Sequence, residues 1–376
     1  MRILNIAFAL AHVGDDSNGG AEQVLWQLDR ATTAAGHESV VVAAETSRIS
    51  GTLFGTPQQP KTIGKNYYAF RYEEQTAKIR EALASGPFDL VHMHGYDFHE
   101  FIPNVDTPIL VTLHLPPIWY PQWIYNIQRI GLFMNCVSAS QRLTAPLSPL
   151  IVRTITNGIR VPPLELITAD QRKHAVILGR ICPEKGTHVG IQAARKAGVP
   201  VFVAGSVAGF PEHLAYFEEK VQPALNGRAK FVGSIGYDQK TELLRTAKCL
   251  VVPSSAPETS SLVAMEALAC GTPVIAFRSG ALPEIIEHGK TGFLVDSELE
   301  MAELIGRVNE IDALYCRRTA LERFSAERMT REYLEWYEHV VRAAKPPLSQ
   351  FGGTVGEATN HGTAEPHNGD RCSPGR

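Results

Sequence analysis

The sequence lacks the features that would place it across a membrane or on a nucleic acid. No apolar run approaches the ~18 residues that a membrane-spanning helix requires. The formal net charge is only −3 over 376 residues, which predicts neither a nucleic-acid partner nor attachment to an anionic membrane surface. A chain of this length and average composition is long enough for two globular domains.

The cysteines lack the spacing of a metal site or of a disulfide framework. They are scattered, most lie in apolar segments, and no CxxC pair occurs. We therefore interpret them as reduced residues of a cytoplasmic protein, and we predict neither a metal ion nor a cofactor. The six are Cys136, Cys182, Cys249, Cys270, Cys316 and Cys372.

Short apolar runs alternate with helical patterns along the chain, which is typical of α/β proteins with parallel sheets. Turn residues and a double proline at 157–163 interrupt the series, which then begins again. This predicts two Rossmann-like, doubly wound parallel-sheet domains that face a cleft. Strands are predicted at 3–10, 39–43, 90–92, 109–113, 133–137 and 152–155, and then at 175–178, 201–204, 229–232, 250–252, 274–276 and 293–295. Helices in the first half are predicted at 21–35, 73–85 and 140–145.

The predicted organisation has four parts. Residues 1–160 form the first domain and 161–325 the second. A helical pattern continues through 326–344. Residues 345–376 are rich in Gly, Pro, Ser, Thr and Asn, and are predicted to be disordered.

Two carboxylates, Glu258 and Glu266, stand eight positions apart after the apolar run at 250–252. The pattern predicts a strand, a loop with Glu258, and a helix that carries Glu266. Ligands of parallel sheets bind outside the carboxyl ends of the strands, so Glu258 is expected at such a site. Carboxylate oxygens at two separated points suit the hydroxyls of a nucleotide-sugar. For either Glu alone, an ordinary helix-surface carboxylate is the better interpretation.

Two cations follow the first predicted strand of the second half. Arg180 and Lys185 lie five residues apart in a strand-to-helix loop, where they would neutralise a diphosphate. An isolated pair of this kind is usually a solvated basic loop. Its position in the same half as Glu258 favours a phosphate site.

The loop after the first predicted strand contains Asp15, Asp16, Gly19 and Gly20. The glycines permit close backbone approach, and the following helix start offers free N–H groups to a phosphate or sugar. The loop does not carry the G-x-G-x-x-G pattern of dinucleotide-binding proteins. The two aspartates are candidates for an acceptor hydroxyl, although surface turn residues of this type are common.

Three histidines lie at the predicted ends of neighbouring strands. His94 and His114 are expected to face a ligand, whereas the alternation of the strand favours a core position for His92. Their spacing does not indicate a zinc site. Trp119 and Tyr120 follow His114 and are candidates for stacking on an acceptor, although aromatic residues most often pack in the core.

Taken together, these segments resemble the bacterial retaining glycosyltransferases of family 4, which have the GT-B fold. The similarity runs from residue 1 to about 342, and its more specific part is the second half. The motifs that carry it are G-R at 179–180, E-K-G at 184–186, F-V-G at 231–233, P-E at 257–258, E-A-L-A-C-G-T-P-V at 266–274, P-E-I at 283–285 and G-K-T-G-F-L-V at 289–295.

The resemblance implies a role for each matching residue. Arg180 and Lys185 would bind the donor diphosphate, Glu258 the transferred sugar and Glu266 the ribose. His114 would face the sugar across the cleft, and the helix at 326–344 would return to the first domain. The remaining donor contacts implied are Gly19, Gly20, Gly233, Ser234, Ile235, Ser260, Ser261 and Leu262. The expected reaction is metal-independent transfer of a hexose, with UDP-glucose as the expected donor and a small or glycan acceptor.

One segment departs from the family pattern. The family usually has a Phe-Gly-Leu turn after the first Glu, and this chain has Thr259, Ser260, Ser261 and Leu262. Serine keeps such a turn if φ is negative, whereas a positive φ would cost about 1–2 kcal/mol. The departure leaves a non-catalytic nucleotide-sugar-binding protein as an alternative. A nucleotide-sugar epimerase of the same architecture is a second alternative.

Overall fold

The computed structural model describes residues 1–17, 19–58, 66–165, 167–168 and 171–344. The predicted disordered tail at 345–376 lies outside the described residues. Residues 1–344 form one compact unit built around two sheets. No helix in the described ranges is long and apolar enough to cross a bilayer.

The first sheet has seven strands, and each neighbouring pair is parallel. Their order is β3-β2-β1-β4-β5-β6-β7. Both faces of this sheet are covered, which explains why its central strands are nearly continuous apolar runs. The strands are β1 Arg2–Ile6, β2 Glu38–Ala44, β3 Thr52–Thr56, β4 Leu90–Met93, β5 Ile109–Leu113, β6 Leu132–Cys136 and β7 Ile151–Thr154.

The second sheet has six parallel strands in the order β10-β9-β8-β11-β12-β13. Two parallel sheets of the doubly wound type confirm the predicted α/β class. The strands are β8 His174–Leu178, β9 Val201–Ala204, β10 Ala229–Gly233, β11 Ala247–Val252, β12 Val274–Phe277 and β13 Gly292–Val295.

Eleven α-helices are present among the described residues. Those that follow strands connect parallel neighbours, as such sheets require. The helices are α1 Gly20–Ala34, α2 Tyr67–Ala84, α3 Ala139–Thr144, α4 Thr187–Lys196, α5 Pro211–Tyr216, α6 Tyr237–Arg245, α7 Leu262–Ala269, α8 Leu282–Ile285, α9 Glu298–Arg307, α10 Ala313–Phe324 and α11 Ala326–Ala344.

Three elements differ from the sequence-based prediction. Strand β3 was not predicted, because it is a short edge strand that contains Gly55 and is only partly buried. The first strand ends at Ile6 rather than Leu10, and Leu10 adopts a left-handed backbone with φ 62°. Helix α2 begins at Tyr67 rather than Glu73, since its aromatic first turn has low helix propensity; in that turn Tyr67 is buried, whereas Tyr68 and Phe70 are exposed.

Helix α11 packs against the first sheet, although it follows the second sheet in the chain. Its buried residues recur at helical spacing, and their cluster includes Ile3, Leu90 and Leu110 of the first sheet. The Tyr337 hydroxyl lies 2.7 Å from Nδ1 of His92. His92 is fully buried, and burial holds its pKa well below the ordinary value, so the ring is neutral. This polar contact lies inside an apolar cluster and joins α11 to β4.

The contact can be tested with Tyr337→Phe, which removes the hydroxyl and leaves Nδ1 of His92 without that partner. We expect a loss of about 1–3 kcal/mol in the free energy of unfolding, measured by urea denaturation. The control is Tyr68→Phe, because the Tyr68 side chain is 63% exposed and its hydroxyl stays in water. Equal stability of the two variants would contradict this role of the contact.

Candidate functional site

The candidate site lies where the strand order of the second sheet reverses. Strands β8 and β11 are neighbours, while the strands that follow them lie on opposite sides of this pair. The loops that leave β8 and β11 therefore diverge and open a crevice at the carboxyl ends of the strands. The first loop carries Arg180 and Lys185, and the second carries Glu258.

Lys185 and Glu258 form an ion pair in this crevice. The Lys185 Nζ lies 2.6 Å from Oε1 of Glu258, and the Ser254 hydroxyl donates to the same oxygen. The pair fills the crevice, which has a free volume of about 10 Å³ between Arg180, Lys185 and Glu258. A ligand that occupied this point would have to separate the two side chains.

Arg180 lies at the exposed rim of the crevice, close to the first half of the chain. Burial raises the pKa of the Glu22 carboxyl in α1, and the charge of Arg180 opposes that rise. The loop that carries Arg180 is held by backbone bonds on both sides. The Ile181 amide donates to the Ser206 carbonyl at 2.9 Å, and the Ser255 amide donates to the Glu184 carbonyl at 2.9 Å.

Glu266 lies in α7 and is buried beside a lysine that sequence analysis missed. Lys240 Nζ of α6 lies 2.5 Å from Oε1 of Glu266, and Oε2 has no partner among the described residues. The Arg160 guanidinium stacks on the Tyr237 ring nearby, 4.4 Å from its centroid. Lys240 has no motif of its own. The signal that could have found it is its position in the chain, because α6 begins at Tyr237, two residues after the predicted 233–235 segment.

Gly233, Ser234 and Ile235 connect β10 to α6, which carries Lys240. Gly233 has φ 72°, so the strand ends in a conformation that favours glycine. Ser234 is exposed and Ile235 is partly buried. This loop therefore presents a mixed polar and apolar surface beside the Glu266 region.

The start of α1 approaches the start of α7 across the two halves. A Cβ built on Gly20 would lie 3.3 Å from Cδ1 of Leu262, so the glycine permits this approach. A Cβ on Gly19 would overlap a carboxylate oxygen of Glu22 at 1.8 Å, because that side chain folds back over the helix start. The two glycines are thus brought to the same cleft as Leu262.

His114 also reaches this cleft, and its backbone is held from both sides. The Thr259 hydroxyl donates to the His114 carbonyl at 2.8 Å. His94 Nδ1 lies 3.3 Å from His114 Nε2, and burial lowers the pKa of His114 to about 3. Both rings are neutral, since burial holds the pKa of His94 well below its usual range. His114 can therefore hydrogen-bond a hydroxyl without carrying a charge.

The remaining residues of the predicted acceptor set differ in burial and in their hydrogen-bond partners. The Tyr120 ring is buried, and its hydroxyl accepts from the amides of His114 at 3.1 Å and Leu115 at 3.2 Å. Tyr120 thus supports the His114 backbone. It does not face the cleft as predicted, because its ring packs in the apolar core of the first half. Trp119 is exposed, as is Asp15.

Asp16 has two side-chain partners, a histidine and an arginine. His12 Nε2 lies 2.9 Å from Oδ1 of Asp16, and Arg48 Nη2 lies 2.6 Å from Oδ2. The hydrogen bond with His12 has the largest effect and lowers the pKa of the Asp16 carboxyl; burial opposes it, and the Arg48 charge adds a smaller lowering effect. The structure therefore presents Asp16 as part of a surface ion pair.

The Thr-Ser-Ser segment adopts its turn without a left-handed residue. Leu10 has the one positive φ outside glycine in the described ranges, and Ser261 has φ −99° at the start of α7. The energetic penalty considered for a serine at this position therefore does not arise. Ser260 Oγ is buried and has no partner among the described residues. It borders a cavity of about 370 Å³ between the halves, lined also by Ser138, Glu284 and Arg323.

Gly280 supports Glu258 and was not singled out from the sequence. It has φ 55°, and a Cβ at this position would lie 2.2 Å from the Glu258 carbonyl oxygen and 2.5 Å from its nitrogen. The next amide, that of Ala281, donates to the same carbonyl at 2.7 Å. The turn after β12 therefore fixes the backbone of Glu258. The local signal was a glycine four residues after the predicted strand at 274–276.

Each half of the chain matches a known sequence family. Residues 18–167 match the family described as Glycosyltransferase Family 4. Residues 165–324 match the family described as Glycosyl transferases group 1. Together the two matches include every strand of both sheets except β1.

Curated relatives match part of the chain. A D-inositol 3-phosphate glycosyltransferase of Mycolicibacterium smegmatis is 34% identical over 161 residues, which cover 42% of this chain and 36% of the relative. The protein of the same name from Mycobacterium tuberculosis strain F11 is 36% identical over 134 residues, covering 34% of this chain and 27% of the relative. The matched region thus spans about a third of the length of these relatives.

Solved structures of low sequence identity share the whole architecture. Sucrose-phosphate synthase from Thermosynechococcus elongatus has a TM-score of 0.74 at 21% identity, covering 91% of this chain and all of that chain. The Anabaena protein HepE, in complex with UDP and glucose, has a TM-score of 0.69 at 19% identity, covering 90% of this chain and all of that chain. These similarities confirm the GT-B fold that the family resemblance implied.

The support of Glu258 by Gly280 can be tested with Gly280→Ala. We expect the methyl group to displace the Glu258 backbone, so that hydrogen exchange at the Ala281 amide accelerates and the free energy of unfolding falls. Gly289→Ala is the matched control, since Gly289 also has a positive φ, of 79°, but has open space around its Cβ position. An alanine in the left-handed region alone costs about 1–2 kcal/mol. Equal losses and equal exchange rates in the two variants would show that the approach to Glu258 has no effect.

Proposed function

Since the chain belongs to the glycosyltransferases in both of its halves, we propose that it transfers a hexose from a nucleoside-diphosphate sugar to an acceptor hydroxyl. The observation that carries the proposal is the convergence of Arg180, Lys185 and Glu258 in the crevice between β8 and β11. Gly20 and His114 lie across the same cleft, where they contact the α7 start and its loop. A nucleoside-diphosphate sugar offers negative phosphates to Arg180 and Lys185 and hydroxyl groups to Glu258.

UDP-glucose is the donor that we propose. HepE, which has the same architecture, was crystallised with UDP and glucose and also with UDP-glucose. In this chain, Arg180 and Lys185 would hold the diphosphate and Glu258 the sugar hydroxyls. Glu266 offers an unpaired Oε2 for ribose hydroxyls beside Lys240.

Donor binding in this proposal exchanges one set of contacts for another. The Lys185–Glu258 pair separates, so that Lys185 contacts phosphate and Glu258 contacts hydroxyl groups. This exchange keeps both charged groups paired or hydrogen-bonded, which partly buried charges require. The local ion pair therefore holds the two side chains in position before the donor arrives.

We propose that the reaction proceeds with retention and without a metal ion. Arg180 and Lys185 would stabilise the negative charge that develops on the leaving diphosphate. A diphosphate oxygen on the same face would accept the proton of the attacking hydroxyl. Neutral His114 would orient a sugar hydroxyl, and contact between the halves would exclude water. The acceptor is proposed to be a small molecule or a glycan.

The proposal is tested by calorimetric titration with UDP and with UDP-glucose, together with assays of UDP release. We expect Glu258→Ala to weaken UDP-glucose binding about tenfold or more while UDP binding stays close to wild type, since a hydrogen bond to a charged group contributes about 1.5–3 kcal/mol. Arg180→Ala and Glu266→Ala should weaken both ligands. An NMR determination of the anomeric configuration of the product tests retention.

Matched controls lie on exposed surfaces of the same half. Arg195→Ala removes an exposed arginine of α4, and Glu303→Ala an exposed glutamate of α9. Both should bind UDP-glucose as the wild type does. If the wild type neither binds nor slowly hydrolyses UDP-glucose, this donor assignment is wrong. Retained binding without transfer across an acceptor panel would instead indicate a binding protein.

A further inference from the structure

Three side chains of metal-binding type meet beside the loop that carries Arg180 and Lys185. Cys182 and Glu184 belong to that loop, and His213 belongs to α5. One sulfur, one carboxylate oxygen and one ring nitrogen from these residues all lie within 4.8 Å of one another. Cys182 and His213 are buried, whereas Glu184 is exposed. The cluster thus has a buried floor and a side that is open to solvent.

The His213 ring has an unused nitrogen in a buried place. The residue is 7% exposed, and its Nδ1 has no hydrogen-bond partner in the part of the chain that the structure describes. A buried polar atom without a partner is costly, and most such atoms in folded proteins are paired. The Phe210 ring packs edge-on against His213, with the centroids 5.3 Å apart, and offers it no acceptor. This orphaned nitrogen is an observation independent of the three-residue cluster.

The types of donor atom select among metal ions. Thiolate and imidazole favour Zn²⁺ and related ions, whereas Mg²⁺ and Ca²⁺ prefer oxygen ligands. In a tetrahedral zinc site, sulfur and nitrogen ligands lie about 3.5 Å apart. The present separations need a closure of roughly 1 Å, which rotation of the exposed Glu184 side chain and small shifts of the other two can supply. A thiolate and a carboxylate also balance the charge of a divalent cation.

We propose that Cys182, Glu184 and His213 bind one Zn²⁺-type cation that ties α5 to the loop between β8 and α4. Water would occupy the fourth position of the site. The ligands Cys182 and Glu184 lie between Arg180 and Lys185 in the chain. The bound metal ion would therefore stiffen the backbone that carries the Arg180 and Lys185 side chains. The Glu184 backbone also accepts the Ser255 amide at 2.9 Å, which connects the clamp to the loop of Glu258.

This site would serve the structure rather than the chemistry of transfer. Glu258 and its partner Lys185 lie outside the cluster of metal-binding atoms, and no step of the proposed reaction requires the metal. The inference does not depend on the proposed function, because metal binding is measurable without any donor or acceptor.

The test is a titration of the chelator-treated full-length protein with Co²⁺, which reports its ligands through absorption. We expect one equivalent to bind and to produce a thiolate-to-cobalt charge-transfer band, together with the visible bands of a tetrahedral site. Zn²⁺ should displace Co²⁺ and raise the Tm by mass action. Cys182→Ser should abolish the charge-transfer band. His213→Gln and Glu184→Gln should each weaken Co²⁺ binding at least tenfold.

Matched controls carry the same types of change outside the cluster. Cys270→Ser alters a partly buried cysteine elsewhere, and Glu212→Gln alters the exposed residue next to His213. Both should bind Co²⁺ as the wild type does. Glu184 is exposed, so Glu184→Gln is expected to fold even if the buried variants do not. Absence of a thiolate band, or equal affinity of Glu184→Gln and Glu212→Gln, would overturn the proposal. Loss of UDP-glucose binding with Co²⁺ binding intact would bear on the proposed function alone.

Discussion

The arrangement of the second sheet around β8 and β11 is the constraint on which the site depends. Parallel strands end at the same edge, and a reversal of strand order between neighbours sends the following loops apart. That geometry brings Arg180 and Lys185 to Glu258, although more than seventy residues separate the two loops in the chain. The Lys185–Glu258 pair then neutralises two partly buried charges that would otherwise be costly.

Contacts between the halves extend this arrangement across the cleft. Gly20 admits Leu262, and the Thr259 hydroxyl reaches the His114 carbonyl. On another side, the Glu284 carboxylate accepts the amides of Ala139 at 3.0 Å and Ser140 at 2.5 Å, at the start of α3. These contacts are polar or small, and they stand beside the apolar packing of α11 against the first sheet.

The Thr-Ser-Ser segment shows how a departure from a family pattern is resolved by conformation. The backbone there stays in the negative-φ region, and the Thr259 hydroxyl donates to the His114 carbonyl of the other half. Ser260 keeps a buried hydroxyl without a partner among the described residues. The segment thus makes a polar contact between the halves without a strained turn. Its neighbour Gly280 carries the left-handed conformation that holds Glu258 in place.

The sequence alone determined the alternation of strands and helices, because buried parallel strands require apolar runs and turns require glycine and proline. It also singled out candidate site residues, namely Arg180, Lys185 and Glu258 after predicted strands and Glu266 on the helix that follows Glu258. Only the tertiary structure decided that Lys185 pairs with Glu258, that Lys240 pairs with Glu266, and that Tyr120 lies in the core. It also brought His213 to Cys182 and Glu184, and helix α11 to the first sheet. These outcomes depend on contacts between segments far apart in the chain, and local residue patterns carry no information on which distant side chains will meet.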